Sequence, residues 1–121
     1  MIAPIFSVCS SNPDVIAVLG SDPVRLYPFG MQDDEIVYPY AVWQNISGGA
    51  EMYLDTTPDY DSYTTQIDVY ADTPVQALGV AMALRNAIET SAYISRWGAQ
   101  GRDNVTKKYR YSFDVDWIVK R

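Results

Sequence analysis

Carboxylates are the only side chains in this sequence whose number and spacing are fit for catalysis. Asp59 and Asp61 form an Asp-x-Asp, with Asp55 shortly upstream. Such a pair can hold a divalent cation beside a nucleotide, but no nucleotide-binding βαβ unit adjoins it here. Asp55, Asp59 and Asp61 also miss the EF-hand pattern, which needs ligands at alternate positions, a central glycine and a distal glutamate. A solvated acidic loop is the better reading. Asp114 and Asp116 share one face of a strand. A catalytic pair needs one raised pKa, however, and the flanking bases predict salt-bridged surface positions instead. Gly48-Gly49 has neither the lysine nor the following helix of a phosphate loop. Cys9 stands between Val8 and Ser10 with no base nearby, so it reads as a small buried hydrophobe and not as a nucleophile.

Composition narrows the chemistry further. The chain has 121 residues, 48% apolar and 20% charged, with no histidine and one cysteine. Without histidine the usual general base and the commonest transition-metal ligand are missing. One cysteine excludes an internal disulfide and a cysteine-based zinc site. No catalytic residue, metal or cofactor is therefore expected. The length predicts a single domain over residues 1–121, large enough to need no metal or disulfide for its core. The longest early apolar stretch, Val15–Leu19, is too short to span a bilayer, and no Lys or Arg precedes it. A soluble chain, cytoplasmic where made and without a membrane partner, is expected.

The charge is unevenly placed. Lys and Arg total 9 against 15 Asp and Glu, for a net −6, which argues against broad nucleic-acid binding. Residues 1–84 carry −10 with Arg25 as their one base, residues 85–121 carry +4, and Leu26–Leu84 contains no Lys or Arg. Such polarity suits a protein that meets copies of itself or an ordered partner.

The elements that must position these residues read as α+β: a single antiparallel sheet of about four strands, with helices packed on one face. Ile5, Val8 and Cys9 lie one turn apart. Asn12 can cap a second helix, with Pro13 in its first position, Val15, Ile16, Val18 and Leu19 as its apolar residues and Gly20 as its stop. A short extended piece covers Val24–Tyr27. Tyr40–Ile46 is a strand, Ser47–Ala50 a tight reversal, and Glu51–Leu54 a shorter strand. After the acidic loop Asp55–Asp61, the residues Tyr63, Thr65, Ile67, Val69 and Ala71 alternate with polar neighbours on a clean strand. Thr73-Pro74-Val75-Gln76 is a capping box, and a helix runs from it to about Ala92. Its wide, alanine-rich apolar arc predicts close packing on a sheet with further cover beside it. Arg85 falls inside that arc, either paired with Glu89 at its edge or facing a partner carboxylate. Ile94–Trp97 is followed by a polar reversal, Gly98–Asn104. In the last strand Tyr109, Tyr111, Phe113, Val115, Trp117 and Val119 alternate with polar residues, so it is central or lies on the main helix.

Ten tyrosines and three tryptophans exceed what one small core uses. Tyr27, Tyr38, Tyr53, Tyr60 and Tyr70 fall on polar faces or in loops. Tyrosine joins apolar area to a polar tip and is enriched at protein interfaces. A platform for single-stranded nucleic acid would need a basic groove that residues 26–84 cannot supply.

Several stretches together resemble the tail terminator, or tail completion, proteins of long-tailed bacteriophages. They are Pro4-Ile5-Phe6, Arg25-Leu26-Tyr27-Pro28-Phe29-Gly30, Tyr38–Gly48, Gln66–Ala71, the helix Ala77–Ile88 and the tyrosine-rich last strand. The resemblance covers nearly the whole chain in order. It implies a non-enzymatic α+β virion protein of the tail and neck region, assembled in the host cytoplasm. It also implies a homo-oligomeric ring, commonly hexameric, on the head-proximal end of the tail tube. The implied partners are further copies of the chain, the major tail tube protein and a head-side connector or stopper, with DNA only as passing cargo. A head-closure or connector protein would share the size, acidity and lack of chemistry, as would a small non-catalytic adaptor; an enzyme built on Asp59 and Asp61 is the remote alternative.

A head-to-tail ring needs two complementary patches per subunit, and the charge split offers such a pair. The expected interface bases are Arg85, Arg96, Arg102, Lys107, Lys108 and Arg110, facing acids such as Glu51, Asp55, Asp59, Asp61 or Asp68 of the neighbour. Asp33, Asp34, Glu35, Asp55, Asp59 and Asp61 are candidates for a lumen or a partner-facing surface, where carboxylates would repel phosphate and let DNA slide. Reversing the charge of Lys107 and Lys108 is expected to weaken self-assembly in low salt, as read by sedimentation; assembly unchanged by that reversal would refute the pairing.

Overall fold

The computed structural model describes residues 4–21, 24–30, 36–50, 60–102 and 107–120. Two short helices come first, α1 (Ile5–Ser10) and α2 (Pro13–Leu19). Asn12 caps α2 as its position predicts. Its Oδ1 accepts from the N–H groups of Asp14 and Val15 at 2.9 and 3.3 Å, and Pro13 takes the first helical position, where its missing donor costs nothing. Gly20 ends α2 at φ 81, a left-handed value that suits glycine.

Five strands complete the chain: β1 (Leu26–Pro28), β2 (Tyr40–Ala50), β3 (Tyr60–Ala71), β4 (Tyr93–Arg102) and β5 (Tyr109–Lys120). The helix α3 (Pro74–Ile88) lies between β3 and β4 in the chain. The sheet order is β1-β2-β3-β5-β4, with β1 parallel to β2 and every other pair antiparallel. The α+β class holds, but the sheet is mixed and five-stranded, where about four antiparallel strands were expected. β1 has three residues, one of them proline, and so carries no alternation to read. It exists because β2 supplies the partner groups: the Ala41 N–H donates to the Arg25 carbonyl at 3.0 Å, and the Phe29 N–H to the Trp43 carbonyl at 2.9 Å.

Four boundaries also differ from their local signals. Ser47–Ala50 is not a reversal but the end of β2, with Gly48 opposite Tyr63 and Gly49 opposite Ser62; a shift between Asn45 and Ser47 absorbs the irregularity. Gly98–Arg102 likewise continues β4, whose register slips between Ile94 and Arg96 and again between Trp97 and Gln100. In both places pairing with a long neighbour outweighs the turn preference of glycine. The helix α3 stops at Ile88, and the N–H groups of Ser91 and Ala92 both turn back onto the Ile88 carbonyl. Tyr60 and Asp61, expected in the acidic loop, begin β3. The expected strand Glu51–Leu54, loop residues 55–59 and reversal residues 103–104 lie outside the described residues.

The core forms between the helices and one face of the sheet. The register places Trp43, Ile67 and Phe113 side by side across β2, β3 and β5, and all three are buried. Beneath α3, the alternating residues Thr65, Ile67, Val69 and Ala71 of β3 face inward with Phe113, Val115 and Trp117 of β5. Trp117 Nε1–H donates to Thr65 Oγ1 at 3.1 Å, which answers the polar groups of both buried residues. Ile5, Cys9, Val15 and Leu19 cover the remaining apolar flank of α3. That is the additional cover its wide apolar arc demands, and it leaves Cys9 fully buried. Leu78 is an exception within that arc, 43% exposed on the outer side of the helix. At the start of α3, Thr73 Oγ1 accepts from the Gln76 N–H at 3.1 Å. Gln76 Oε1 completes the box on the Asp72 N–H, one residue before the cap.

Two glycines should respond to alanine with opposite signs. A Cβ at Gly79 meets nothing within 4 Å, so Gly79→Ala is expected to stabilise the fold by about 0.5–1 kcal/mol through helix propensity. A Cβ at Gly98 would lie 2.9 Å from the Ser112 carbonyl oxygen, so Gly98→Ala is expected to destabilise by about 1–3 kcal/mol. Urea unfolding of the two variants reads both signs.

Candidate functional site

The described helices all lie on one side of the sheet, and the polar positions of its strands form the other side. Register arranges these positions in rows across the strands. Tyr40, Tyr70, Arg110 and Gly101 make one row; Tyr27, Val42, Asp68 and Ser112 make the next. Gln44, Gln66, Asp114 and Arg96 follow, then Thr64, Asp116 and Tyr93. Strand alternation sends these side chains to the face away from α3.

At one edge the rows are aromatic. The Tyr40 and Tyr70 rings stack with centroids 5.0 Å apart, and Tyr38 and Tyr27 tilt against Tyr40 at 5.4 and 6.4 Å. Tyr38 leads into β2 through a cis bond to Pro39. Burial first, then the neighbouring Tyr38 and Tyr70 phenols, push the Tyr40 hydroxyl from 10.0 up to about 12. Three of the tyrosines singled out from the sequence, Tyr27, Tyr38 and Tyr70, are thus one cluster with Tyr40. Tyr53 lies outside the described residues, as does the side chain of Tyr60.

Towards the other edge the face is an ionic and hydrogen-bonded net. Arg96 Nε–H donates to Asp114 Oδ2 at 3.0 Å. Arg110 lies 3.6 Å from Asp68 and donates to Ser112 Oγ at 3.2 Å, while the Ser112 hydroxyl donates to Asp68. The Thr64 hydroxyl donates to Asp116 at 2.8 Å. Asp114 is not the surface residue its flanking bases suggest: it is 7% exposed, and its Oδ1 is buried without a partner among the described groups. Neighbouring side chains in the same rows shut water out, which strand alternation alone does not reveal.

The other singled-out residues are scattered. Lys108 pairs with Asp72 and lies 4.7 Å over the Tyr38 ring. Arg102 lies 5.6 Å over the Tyr109 ring at the end of β4. Lys107 is exposed at φ 63, just before β5. Arg85 donates to Asn86 Oδ1 at 3.1 and 3.3 Å. Asp61 sits opposite Ala50 and Val119 in the register, and its side chain lies outside the described residues, as do Asp33, Asp34, Glu35, Glu51, Asp55 and Asp59 entirely. Among the described residues no three carboxylate or cysteine groups converge to hold a metal ion, and no helix is long and apolar enough to cross a membrane.

Sequence reading missed Arg25. Its Nε–H donates to the Pro39 carbonyl at 2.8 Å and its Nη2 to the Val18 carbonyl at 3.5 Å, tying the start of β1 to α2 and to the entry of β2. The one available signal was its isolation, since it is the only base among the first 84 residues.

A family model described as "Tail completion protein gp17" matches residues 3–120 of this chain. The chain belongs to the tail completion protein family. It is therefore a structural protein of the virion, located in the tail and neck region. Among solved structures, a chain of the virion of a native gene transfer agent particle superposes on it with a TM-score of 0.71 at 13% identity. The match covers 97% of this chain and 92% of that one, so the two share a fold over nearly their whole lengths. No curated protein sequence matches. The site built above is a sheet face, aromatic at one edge and ionic towards the other.

The buried acidic groups predict how this fold responds to alkali. Burial pushes the Cys9 thiol from 9.0 up to about 12, alongside the similar rise at Tyr40. Both groups hold their protons longer when folded than when unfolded, so stability is expected to fall as pH rises from about 9 towards 12. Tyr40→Phe should flatten the part of that decline above pH 10, and melting temperatures across the range would show it. A melting temperature rising with pH there would contradict the assignment.

Proposed function

We propose that this tail completion protein forms a closed ring on the head-proximal end of the tail tube. Six copies is the number the family resemblance implies. The ring stops tube polymerisation on one side and presents the joining surface for a head-side connector or stopper on the other. The observation that carries this reading is the family match over residues 3–120. The role calls for no bond to be made or broken, and the reading assigns no catalytic residue and no cofactor.

Charge supports it physically. Residues 26–84 contain no cation, whereas Arg85, Arg96, Arg102, Lys107, Lys108 and Arg110 all fall within residues 85–110. Subunits related head to tail bring unlike patches together, and patches of opposite sign steer and register that contact. Arg96, Lys108 and Arg110 already face acids of their own chain. Arg102 and Lys107 make no ion pair among the described residues, and they are the bases best suited to meet a neighbour's carboxylates such as Asp68, Glu51 or Asp61. The acidic stretches Asp33-Asp34-Glu35 and Asp55–Asp61 then serve as lumen lining, where like charge keeps passing DNA from adhering.

Purified protein added to growing tail tubes should arrest elongation, and electron microscopy should show a ring of extra density at one end. Tubes that lengthen as they do without it would refute the capping role. A lumen found to be basic in that density would refute the proposed lining.

A further inference from the structure

Phe29 is 70% exposed, although its backbone is held by the sheet. Its N–H bonds to the Trp43 carbonyl at 2.9 Å, and Gly30 follows it at φ 76. An exposed aromatic ring on a backbone held by the sheet offers large apolar area at the cost of few rotatable bonds, which suits it to anchor a protein interface. Beside it a concavity of about 160 Å³ opens over the stacked Tyr40 and Tyr70, with Asp68 on its wall. This corner lies at the β1–β2 edge of the sheet, and Arg110 reaches its Asp68 from the β5 side at 3.6 Å.

A second cleft, about 280 Å³, lies near the opposite edge. Pro74 and Ala77 at the start of α3 form one wall, and Gln100, Arg102, Tyr109 and Tyr111 of β4 and β5 form the other. Its surface is largely apolar, with the Arg102 guanidinium over Tyr109 at the rim. Arg102 pairs in register with Tyr109 and therefore belongs to the helix-bearing face, opposite the face that carries Tyr40, Asp68 and Tyr70.

We propose that these two sites are the halves of one contact between copies of this chain. Phe29 of one copy seats in the α3–β4–β5 cleft of the next, and the Arg102 of that next copy comes to rest beside Tyr70 and Asp68 of the first. A cation held between an aromatic ring and a carboxylate gains from both. The sites lie at opposite edges and on opposite faces of one sheet, so a single copy cannot satisfy them internally. Tyr40, Tyr70, Arg110 and Gly101 form one register row, which sets the two sites at nearly the same height along the strands. Copies joined this way stand head to tail, the arrangement that closes into a ring when the rotation between neighbours divides a full turn without rise. The inference rests on the ring reading and supplies its subunit contact.

The test is a cysteine pair, Phe29→Cys with Gln100→Cys, in the purified protein and on tail tubes. Cys9 is buried and should not interfere. Mild oxidation should give a ladder of covalent oligomers from the double variant, and no ladder from either single variant. Phe29→Ser and Arg102→Glu should keep the wild-type melting temperature, since both residues are exposed, and each should weaken self-association by about 30-fold or more. No ladder, together with wild-type assembly by both variants, would overturn the contact. If the wild-type chain arrests tubes while the ladder is absent, the contact falls and the capping role stands. If the ladder forms but tubes grow unchecked, the capping role falls and the contact stands.

Discussion

β3 pairs with β5 over twelve consecutive residues, from Tyr60 opposite Lys120 to Ala71 opposite Tyr109, without a slip. That one register sorts the side chains of the molecule. It aligns Ile67 with Phe113 and Thr65 with Val115 under α3, and on the reverse it aligns Asp68 with Ser112 and Gln66 with Asp114. A shift of one residue would move every inward apolar side chain of the shifted strand to the polar face, away from the helices. β2, β4 and β1 add to the two edges of this pair. The irregularities of the sheet fall in the β2–β3 and β4–β5 pairings, away from the centre.

The reverse face shows how single carboxylates can be shielded on a sheet surface with none of the described helices upon it. Asp68 and Asp114 sit among long neighbours in adjacent rows, and a carboxylate shielded from water needs donors. Arg110, Ser112 and Arg96 provide them within the chain. Such a net holds its members in one arrangement, which suits a face that must match a partner by shape and charge. The tyrosine cluster continues the same surface with rings packed on one another. Stiffness on this face and an apolar core on the other follow from one alternating pattern.

Elements with their own local chemistry were legible. The Asn12-Pro13 start, the Gly20 stop, the Thr73–Gln76 box and the alternation of β3 and β5 each rest on neighbours a few residues apart, and each stands where its residues indicate. What misled was local chemistry overruled from a distance. Gly48-Gly49 and Gly98 read as turns, yet long partner strands drew both into the sheet. β1 has no pattern of its own and exists through β2. The site was half legible: the excess of tyrosine pointed to contact, but nothing marked Tyr40 as the centre of the cluster. Nor could spacing show that Arg25 would be held by two carbonyls from different elements.

By itself the sequence determined the α+β class, the polarity of charge along the chain and the lack of chemistry beyond carboxylates, because composition and short-range periodicity need no partner in space. Its extended resemblance to tail completion proteins likewise lay in the linear order of residues. Only the tertiary structure decided which cations are already held by their own chain, which acids are shielded, and that Phe29 and the α3–β4–β5 cleft stand at opposite edges of one sheet. Those outcomes depend on cross-strand register between segments dozens of residues apart, and register is set by the packing of the whole core.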